Sequence, residues 1–178
     1  MMSEEKRYSL YEEQKKTKPE VETVISEALD GDLREGALAF AAYCRANKMK
    51  PMWSSGNIWT FKYKGKRVGS IRVRVRGMLL GKLDIVEHSW YVHVHYLDMS
   101  SPAFEKFATD EALQDVVWKN AKHCESCLTT CAPGRDRVIA GRLFHNICVA
   151  DGIYFKNPDD EAMECVRKLI EYRKSGIT

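Results

Sequence analysis

Two stretches of sequence decide the fold: IWTFKYKGKRVGSIRVRVR at residues 58–76 and SWYVHVHYL at residues 89–97. In both stretches apolar and polar side chains alternate with a period of two, which is typical of β-strands that bury one face. A Lys-Gly-Lys sequence at residues 64–66 divides the first stretch into two strands joined by a tight turn. The pattern therefore predicts an antiparallel meander of three to four strands, whose apolar face needs helices packed against it.

Helical patterns flank this meander on both sides. Thr17 and Glu20 form a capping-box pattern, which predicts a helix over residues 20–29. Ser101 followed by Pro102 predicts another helix start after the sheet. We therefore expect an α+β fold with helices on one face of the sheet and a cysteine-rich loop before the C-terminal helix. The helix after residue 30 should bury a stripe made of Ala37, Phe40, Ala41 and Cys44.

Length and composition indicate a single globular domain. The chain has 178 residues, of which 44% are hydrophobic and 30% are charged, and its formal net charge is +3. We expect residues 17–178 to form the domain and the strongly charged residues 1–16 to be a tail or a frayed helix. No apolar run is long enough to span a bilayer, and the first residues lack the apolar segment of a secretory signal. We therefore expect a cytoplasmic protein that has no membrane partner.

The loop before the C-terminal helix carries the sharpest chemical signal. It contains a Cys-x2-Cys pair, a third cysteine after three more residues and a fourth beyond a longer segment. Thiolates at such spacings can converge on one tetrahedral Zn²⁺, and a site closed by four protein ligands is structural. The sequence therefore predicts a structural zinc site. Its predicted ligands are Cys124, Cys127, Cys131 and Cys148.

Several alternatives to this ligand set stay open. His123 or His145 can replace Cys148 as the fourth ligand, because imidazole is also a good Zn²⁺ ligand. An iron–sulfur cluster is less favoured, since the spacing matches neither of the common ferredoxin patterns. The cysteines can also be free thiols around the Pro133-Gly134 turn. A redox role is disfavoured, because the reactive thiol of a Cys-x2-Cys pair usually lies at a helix N-terminus and this pair follows a predicted helix end.

The second signal is a row of cations on the polar side of the predicted meander. Like charges on one side of adjacent strands repel, so the sheet needs either Glu12 and Glu13 of an N-terminal helix or an anionic ligand to compensate them. A solvated outer face is the plain alternative. Nucleic acid is weakly supported as a partner, because Tyr91 alone is well placed to stack on a base. The predicted anion-binding residues are Lys62, Arg72, Arg74, Arg76, Tyr91, His93 and His95.

Two hypotheses of different classes follow. The favoured one is a cytoplasmic binding module without enzymatic activity, which takes an anionic ligand on the cationic face or a small molecule among the sheet aromatics. The competing one is an enzyme in which His93 and His95, two residues apart and thus on one side of a strand, perform metal-assisted or acid–base chemistry. Asp84, Glu87 and His88 are the nearest further metal ligands. The aromatics that could line a pocket are Trp53, Trp59, Phe61, Trp90 and Tyr96.

Overall fold

An antiparallel sheet of five strands is the centre of the fold, which confirms the α+β class. The computed structural model describes residues 12–77, 79–80, 83–125, 132–148 and 153–177. Three strands of the sheet are the predicted meander, and one further strand pairs on either side of it. In their order across the sheet, the strands are β1 (Met52–Ser55), β2 (Ile58–Tyr63), β3 (Lys66–Arg74), β6 (Ser89–Val94) and β9 (Phe155–Lys156).

Two short antiparallel ribbons lie outside this sheet. The first connects β3 to β6 and consists of β4 (Leu79–Leu80) and β5 (Leu83–Asp84). The second consists of β7 (Arg135–Ile139) and β8 (Arg142–Ile147), which follow the cysteine loop. A residue before the cysteine loop, His123, forms a β-bridge with Ile147 at the end of β8. The second ribbon therefore starts and ends next to the chain that leads into the loop.

Helical segments precede and follow the strands of the meander along the chain, as the flanking patterns predicted. The stripe predicted for the helix after residue 30 is buried in full, which confirms its inward orientation. The capping box is wrong, because the Thr17 hydroxyl donates to the Glu13 carbonyl and Glu20 makes no side-chain cap bond. No helix in the described ranges combines the length and apolar character that crossing a membrane requires. The helices are α1 (residues 12–17), α2 (Val21–Ala28), α3 (Gly31–Ala46), α4 (Pro102–Phe107), α5 (Glu111–Lys119) and α6 (Asp160–Ser175).

Large aromatic side chains fill the apolar face of the sheet. Trp59, Phe61 and Trp90 are at most 1% exposed. The Phe40 ring of α3 lies 5.9 Å from the ring centre of Phe61 and 6.1 Å from that of Trp90. Gly69 on β3 lies opposite Phe61, and its missing side chain makes room for that ring. Burial of this much aromatic surface is the main source of stability for the sheet–helix interface.

The opposite side of the sheet, which we call the polar face, is also largely buried. Its buried polar residues include Ser70, Ser89 and His93, each at most 4% exposed. Tyr154, which precedes β9, stacks on Tyr91 of β6 with 4.6 Å between the ring centres. The predicted alternative of a fully solvated outer face is therefore wrong, because the chain around Tyr154 returns over these strands and covers them.

The N-terminal helix α1 packs on the turn between β1 and β2. The Gln14 side chain is 5% exposed. Its amide nitrogen donates to the Asn57 carboxamide oxygen, and its own oxygen accepts from the Asn57 backbone N–H at 2.9 Å and from the Trp53 indole at 3.2 Å. Helix α1 spans the boundary that we expected between residues 16 and 17. Gln14, which lies before that boundary, makes buried hydrogen bonds with the domain.

Candidate anion-binding site

A cavity of about 470 Å³ opens on the polar face near the end of β6. Three arginines and two histidines contribute to its wall, and its remaining lining side chains are mostly apolar. Among the residues described in its wall there is no carboxylate. We call it the arginine cavity. Its polar lining residues are Arg67, Arg72, His93, His95, Tyr96 and Arg137.

A β-bulge brings Arg67 to this cavity. The pairing of β2 with β3 changes from Phe61–Gly69 to Lys62–Arg67, which leaves Val68 as the extra residue. With a regular alternation, Arg67 would share the face of Gly69, which is the apolar face. The bulge reverses the alternation and turns Arg67 to the polar face. The backbone carbonyl of Val68 then accepts a 2.7 Å hydrogen bond from the His95 N–H, which fixes the end of β6 beside it.

Arg72 and the two histidines follow the regular register of the sheet. Arg72 is paired with Tyr91, and Ser70 is paired with His93, so all four side chains lie on the polar face. The ring centres of His93 and His95 are 4.2 Å apart. The His95 Nε2 atom lies 3.2 Å from the Ser70 hydroxyl oxygen. The sequence thus placed these groups correctly, because strand alternation alone determines their side of the sheet.

A second cavity, of about 380 Å³, lies beside the first on the same face. We call it the tyrosine cavity. It differs from the arginine cavity because Glu87 and Glu125 are part of its wall. Glu87 forms an ion pair with Lys156, which lowers the pKa of the Glu87 carboxyl and raises that of the Lys156 ammonium group. The other polar residues that line the tyrosine cavity are Arg74, Ser89, Tyr91, Lys122, Tyr154 and Lys156.

Tyr154 lies between arginines of the two cavities. One guanidinium nitrogen of Arg72 and one of Arg74 each lie 3.5 Å from the Tyr154 hydroxyl oxygen. The guanidinium carbons are 5.2 Å and 5.8 Å from the centre of the Tyr154 ring. The Lys122 ammonium nitrogen is 4.6 Å from the same ring centre. The electron-rich face of this ring therefore offsets part of the repulsion between the cations.

The predicted anion-binding residues divide into two groups. Five of the seven line the cavities: Arg72, His93 and His95 the arginine cavity, and Arg74 and Tyr91 the tyrosine cavity. The other two, Lys62 and Arg76, line neither cavity. Lys62 is exposed beside the bulge, and Arg76 is exposed in the turn after β3. Of the two acidic residues of α1 expected to compensate the cations, Glu12 forms its described ion pair with Lys15, at 4.0 Å, and no described ion pair involves Glu13.

Sequence reasoning missed five cationic or aromatic residues of the two cavities. Arg67 was missed because the bulge cannot be predicted from the alternation of side chains. The other four lie far along the chain and reach the sheet through the connection after α5, the second ribbon, the approach to β9 and β9 itself. No local sequence pattern predicts that these segments return to the sheet. The missed residues are Arg67, Lys122, Arg137, Tyr154 and Lys156.

The chain brings the two described cysteines of the predicted zinc site to adjacent segments. The Cys124 N–H donates to the Asn146 carbonyl, and the Cys148 N–H donates to the Lys122 carbonyl, both at 2.7 Å. Cys124 and Cys148 are therefore near-neighbours in a short antiparallel pairing. Cys127 and Cys131 lie outside the described residues. The segments that carry Cys124 and Cys148 thus lie side by side, and the zinc site stays a prediction.

At Gly134 the chain passes close to Cys124, at the start of the cysteine loop. A Cβ atom at this position would overlap the Asn146 side chain and lie 2.5 Å from the Cβ of Cys124. The alternative ligands His123 and His145 are close by. The His123 Nδ1 atom lies 3.1 Å from the His145 carbonyl oxygen, and the His145 Nδ1 atom lies 2.8 Å from the carboxylate of Asp136. This contact with His145 lowers the pKa of Asp136.

The histidine pair lies together on the polar face, and the side chains of two of the three further ligands expected beside it are described. Glu87 pairs with Lys156 and lines the tyrosine cavity, and His88 is exposed. The side chain of Asp84 lies outside the described part. Within the described ranges, no three side chains from His, Cys, Asp and Glu are grouped closely enough to hold a metal ion. An enzyme that uses His93 and His95 stays a prediction.

The aromatic residues expected to line a pocket mostly fill the core instead. Trp59, Phe61 and Trp90 are part of the packed apolar face, whereas Tyr96 is 68% exposed and lines the arginine cavity. The cationic polar face is therefore the better-supported of the two binding surfaces that the sequence suggested. We compared the chain with protein-family models, with curated proteins and with solved structures, and none of them matched it.

Proposed function

We propose that the protein is a binding module whose arginine cavity holds a small anionic ligand of the phosphate type. The observation that supports it is the convergence of Arg67 and Arg72, from strand β3 of the sheet, and Arg137, from the second ribbon, on one concave wall. Guanidinium groups bind phosphate and carboxylate oxygens through paired, charge-assisted hydrogen bonds. The volume of about 470 Å³ is within the usual range for small-molecule sites.

Electrostatics supports an anion in preference to a neutral ligand. An anion in this concavity contacts several cationic groups at once, and each of these contacts is strengthened by charge. The ring of Tyr154, 5.2 Å from the guanidinium carbon of Arg72, offsets part of the charge of Arg72. His93 and His95 add imidazole N–H donors to the same wall.

Calorimetric titration with inorganic pyrophosphate tests this proposal. We expect binding that weakens steeply with salt, since the attraction is ionic. Arg67→Ala should weaken it about fivefold to tenfold, the effect of losing one charge-assisted contact of about 1–1.5 kcal/mol. The matched control is Arg34→Ala, an exposed arginine on α3, whose helix packs on the apolar face. Absence of binding to the unmodified chain, or equal affinities for both variants, would contradict the proposal.

We also propose that a structural zinc ion locks the cysteine loop, with Cys124, Cys127, Cys131 and Cys148 as ligands. Support comes from the spacing of the four thiols and from the pairing of the segments that carry Cys124 and Cys148. A closed site of this kind would hold the second ribbon, which carries Arg137, against the sheet. We propose a cytoplasmic location, where thiols stay reduced and available for metal.

Metal analysis of the purified full chain tests the zinc site. We expect one zinc ion per chain, lost in Cys124→Ser and in Cys148→Ser. The control is Cys165→Ser, because Cys165 is a buried residue of α6 and its thiol has a pKa raised by burial to about 12. If zinc is retained in Cys148→Ser but lost in Cys124→Ser, the fourth ligand is His123 or His145 instead of Cys148. Zinc absent from the unmodified chain would overturn the site.

A further inference from the structure

Tyr96 has a conformation and an exposure that folding does not explain. Its backbone φ is +59°, in the left-handed region that bulky residues rarely adopt. Its side chain is 68% exposed, so burial of the ring contributes little to the stability of the fold. Asparagine or glycine would fit this backbone with less strain. An exposed aromatic ring kept at a strained position points to a role in binding.

The ring of Tyr96 lies at the rim of the arginine cavity. Tyr96 lies two residues after the end of β6 and lines the cavity together with Arg67, Arg72 and Arg137. The guanidinium carbon of Arg173 on α6 lies 5.6 Å from the centre of the Tyr96 ring. The centre of the His95 ring lies 5.9 Å from that of the Tyr96 ring, and the two ring planes are inclined at 40°. The ring is therefore supported by neighbours, while most of its surface is open to a ligand.

We propose that the ligand of the arginine cavity carries both a phosphate group and a planar aromatic ring, as a mononucleotide does. This inference rests on the proposed function, because the arginines of the cavity hold the phosphate. The planar ring of the ligand stacks on Tyr96. Aromatic stacking is tolerant of the identity of the base, since every base has a π-face. The cavity, at about 470 Å³, has space for a phosphate, a sugar and one base.

A single mononucleotide fits these features better than a nucleic-acid strand. A strand needs several accessible rings in a row, whereas the neighbouring rings of Tyr91 and Tyr154 are 6% and 7% exposed and stack on each other. Tyr96 is the ring of this face that is exposed enough to accept a base. The inferred ligand thus has one ring and one phosphate-bearing end.

Titration of the full chain with ribose 5-phosphate and with AMP, GMP, CMP and UMP tests the inference. We expect at least one nucleotide to bind about tenfold more tightly than ribose 5-phosphate, since stacking on a tyrosine adds to the phosphate contacts. Tyr96→Ala should remove this preference, so that the variant binds the nucleotides and ribose 5-phosphate with equal affinity. Tyr96→Phe should keep the preference, because stacking needs the ring and not the hydroxyl. Circular dichroism checks that both variants are folded.

The outcomes separate this inference from the proposed function. Equal affinities for ribose 5-phosphate and all four nucleotides would overturn the ring-stacking role and leave the anion site in place. A nucleotide preference that persists in Tyr96→Ala would also overturn it. If neither ribose 5-phosphate nor pyrophosphate binds, the anion site itself is wrong, and the inference is overturned with it.

Discussion

The guanidinium group of Arg74 lies 4.3 Å from the centre of the Tyr91 ring and also donates a 3.2 Å hydrogen bond to the hydroxyl of the same tyrosine. Tyr91 in turn stacks on Tyr154. One arginine on β3 is thus held by a ring on the neighbouring strand β6. This contact explains how the sheet tolerates a row of arginines on a face that the chain largely covers.

The first prediction separates the ring of Tyr91 from its hydroxyl. Tyr91→Phe keeps the ring under Arg74 but loses the hydroxyl contacts with Arg74 and Ser89, at 3.2 Å and 3.3 Å. We expect a loss of about 1 kcal/mol in the free energy of unfolding. Tyr91→Leu also loses the stacking and should cost about 3 kcal/mol. Urea denaturation measures both changes.

An exposed tyrosine provides the control for this pair of variants. Tyr96 is 68% exposed, whereas Tyr91 is 6% exposed. Tyr96→Leu should therefore change the free energy of unfolding by no more than about 0.5 kcal/mol. Equal losses for Tyr91→Phe and Tyr91→Leu would show that the ring contributes nothing beyond its hydroxyl.

The second prediction concerns the missing side chain at Gly69. A Cβ atom there would lie 2.5 Å from the His93 carbonyl oxygen and 2.5 Å from the Phe61 ring. Neither the backbone of β6 nor a fully buried ring can move freely, so Gly69→Ala should destabilise the protein by about 2–3 kcal/mol. Thermal unfolding measures the effect.

Gly36 on α3 is the matched control for Gly69. A Cβ atom at Gly36 would meet the Trp90 ring at 3.5 Å, an ordinary van der Waals contact. Gly36→Ala should stabilise the protein by about 0.5–1 kcal/mol, because alanine is the better helix former. A destabilised Gly36→Ala together with an unaffected Gly69→Ala would contradict the packing described for the sheet.

Regular local patterns in the sequence predicted the structure, whereas irregular and long-range features could not be predicted from it. Alternation of side chains correctly predicted that Arg72, His93 and His95 lie on one side of the sheet, because successive side chains of a strand point to opposite faces. The stripe of α3 was readable for the same reason. In both cases a local, regular geometry determines where a side chain points.

Irregular and long-range features were not readable. The bulge at Val68 reverses the alternation and brings Arg67 to the polar face. No local sequence pattern predicts this bulge. Tyr154 and Arg137 reach the polar face from chain positions far beyond the sheet, through pairing that depends on the tertiary fold. Tyr96 was expected among the sheet aromatics that could line a pocket, but it lies beyond the end of β6, has a positive φ and is 68% exposed. The site could therefore be predicted in part, from the meander alone.

The third prediction links Gly134 to the zinc site. Gly134→Ala would force the turn after the cysteine loop away from Cys124, because the new Cβ atom would lie 2.5 Å from the Cβ of that residue. If zinc binds in this loop, the variant should bind it at least about tenfold more weakly, the scale of effects seen when the support of metal ligands is disturbed. Competition with a chromogenic chelator measures the affinity. Gly176→Ala, with its nearest contact at 3.8 Å, should leave it unchanged.

The fourth prediction concerns acid stability. Arg45 binds the Glu22 carboxylate through two nitrogens, at 2.6 Å and 2.8 Å, and this pairing lowers the pKa of Glu22 below its usual value of 4.5. A carboxyl whose pKa is lower in the folded than in the unfolded state stabilises the fold above its unfolded pKa. That contribution is lost as the pH falls through the lowered pKa.

Arg45→Met tests this pairing. Because the side chains of Arg45 and Glu22 are 34% and 32% exposed, we expect a loss of only about 0.5–1 kcal/mol at pH 7. The difference from the unmodified chain should shrink as the pH is lowered from 5, because Glu22 becomes protonated in both proteins once the pH falls below its lowered pKa. Urea denaturation across this pH range measures it, with Arg34→Met as the exposed control. A difference of the same size at pH 3 and pH 7 would show that Arg45 acts through the packing of its aliphatic stem instead of through its charge.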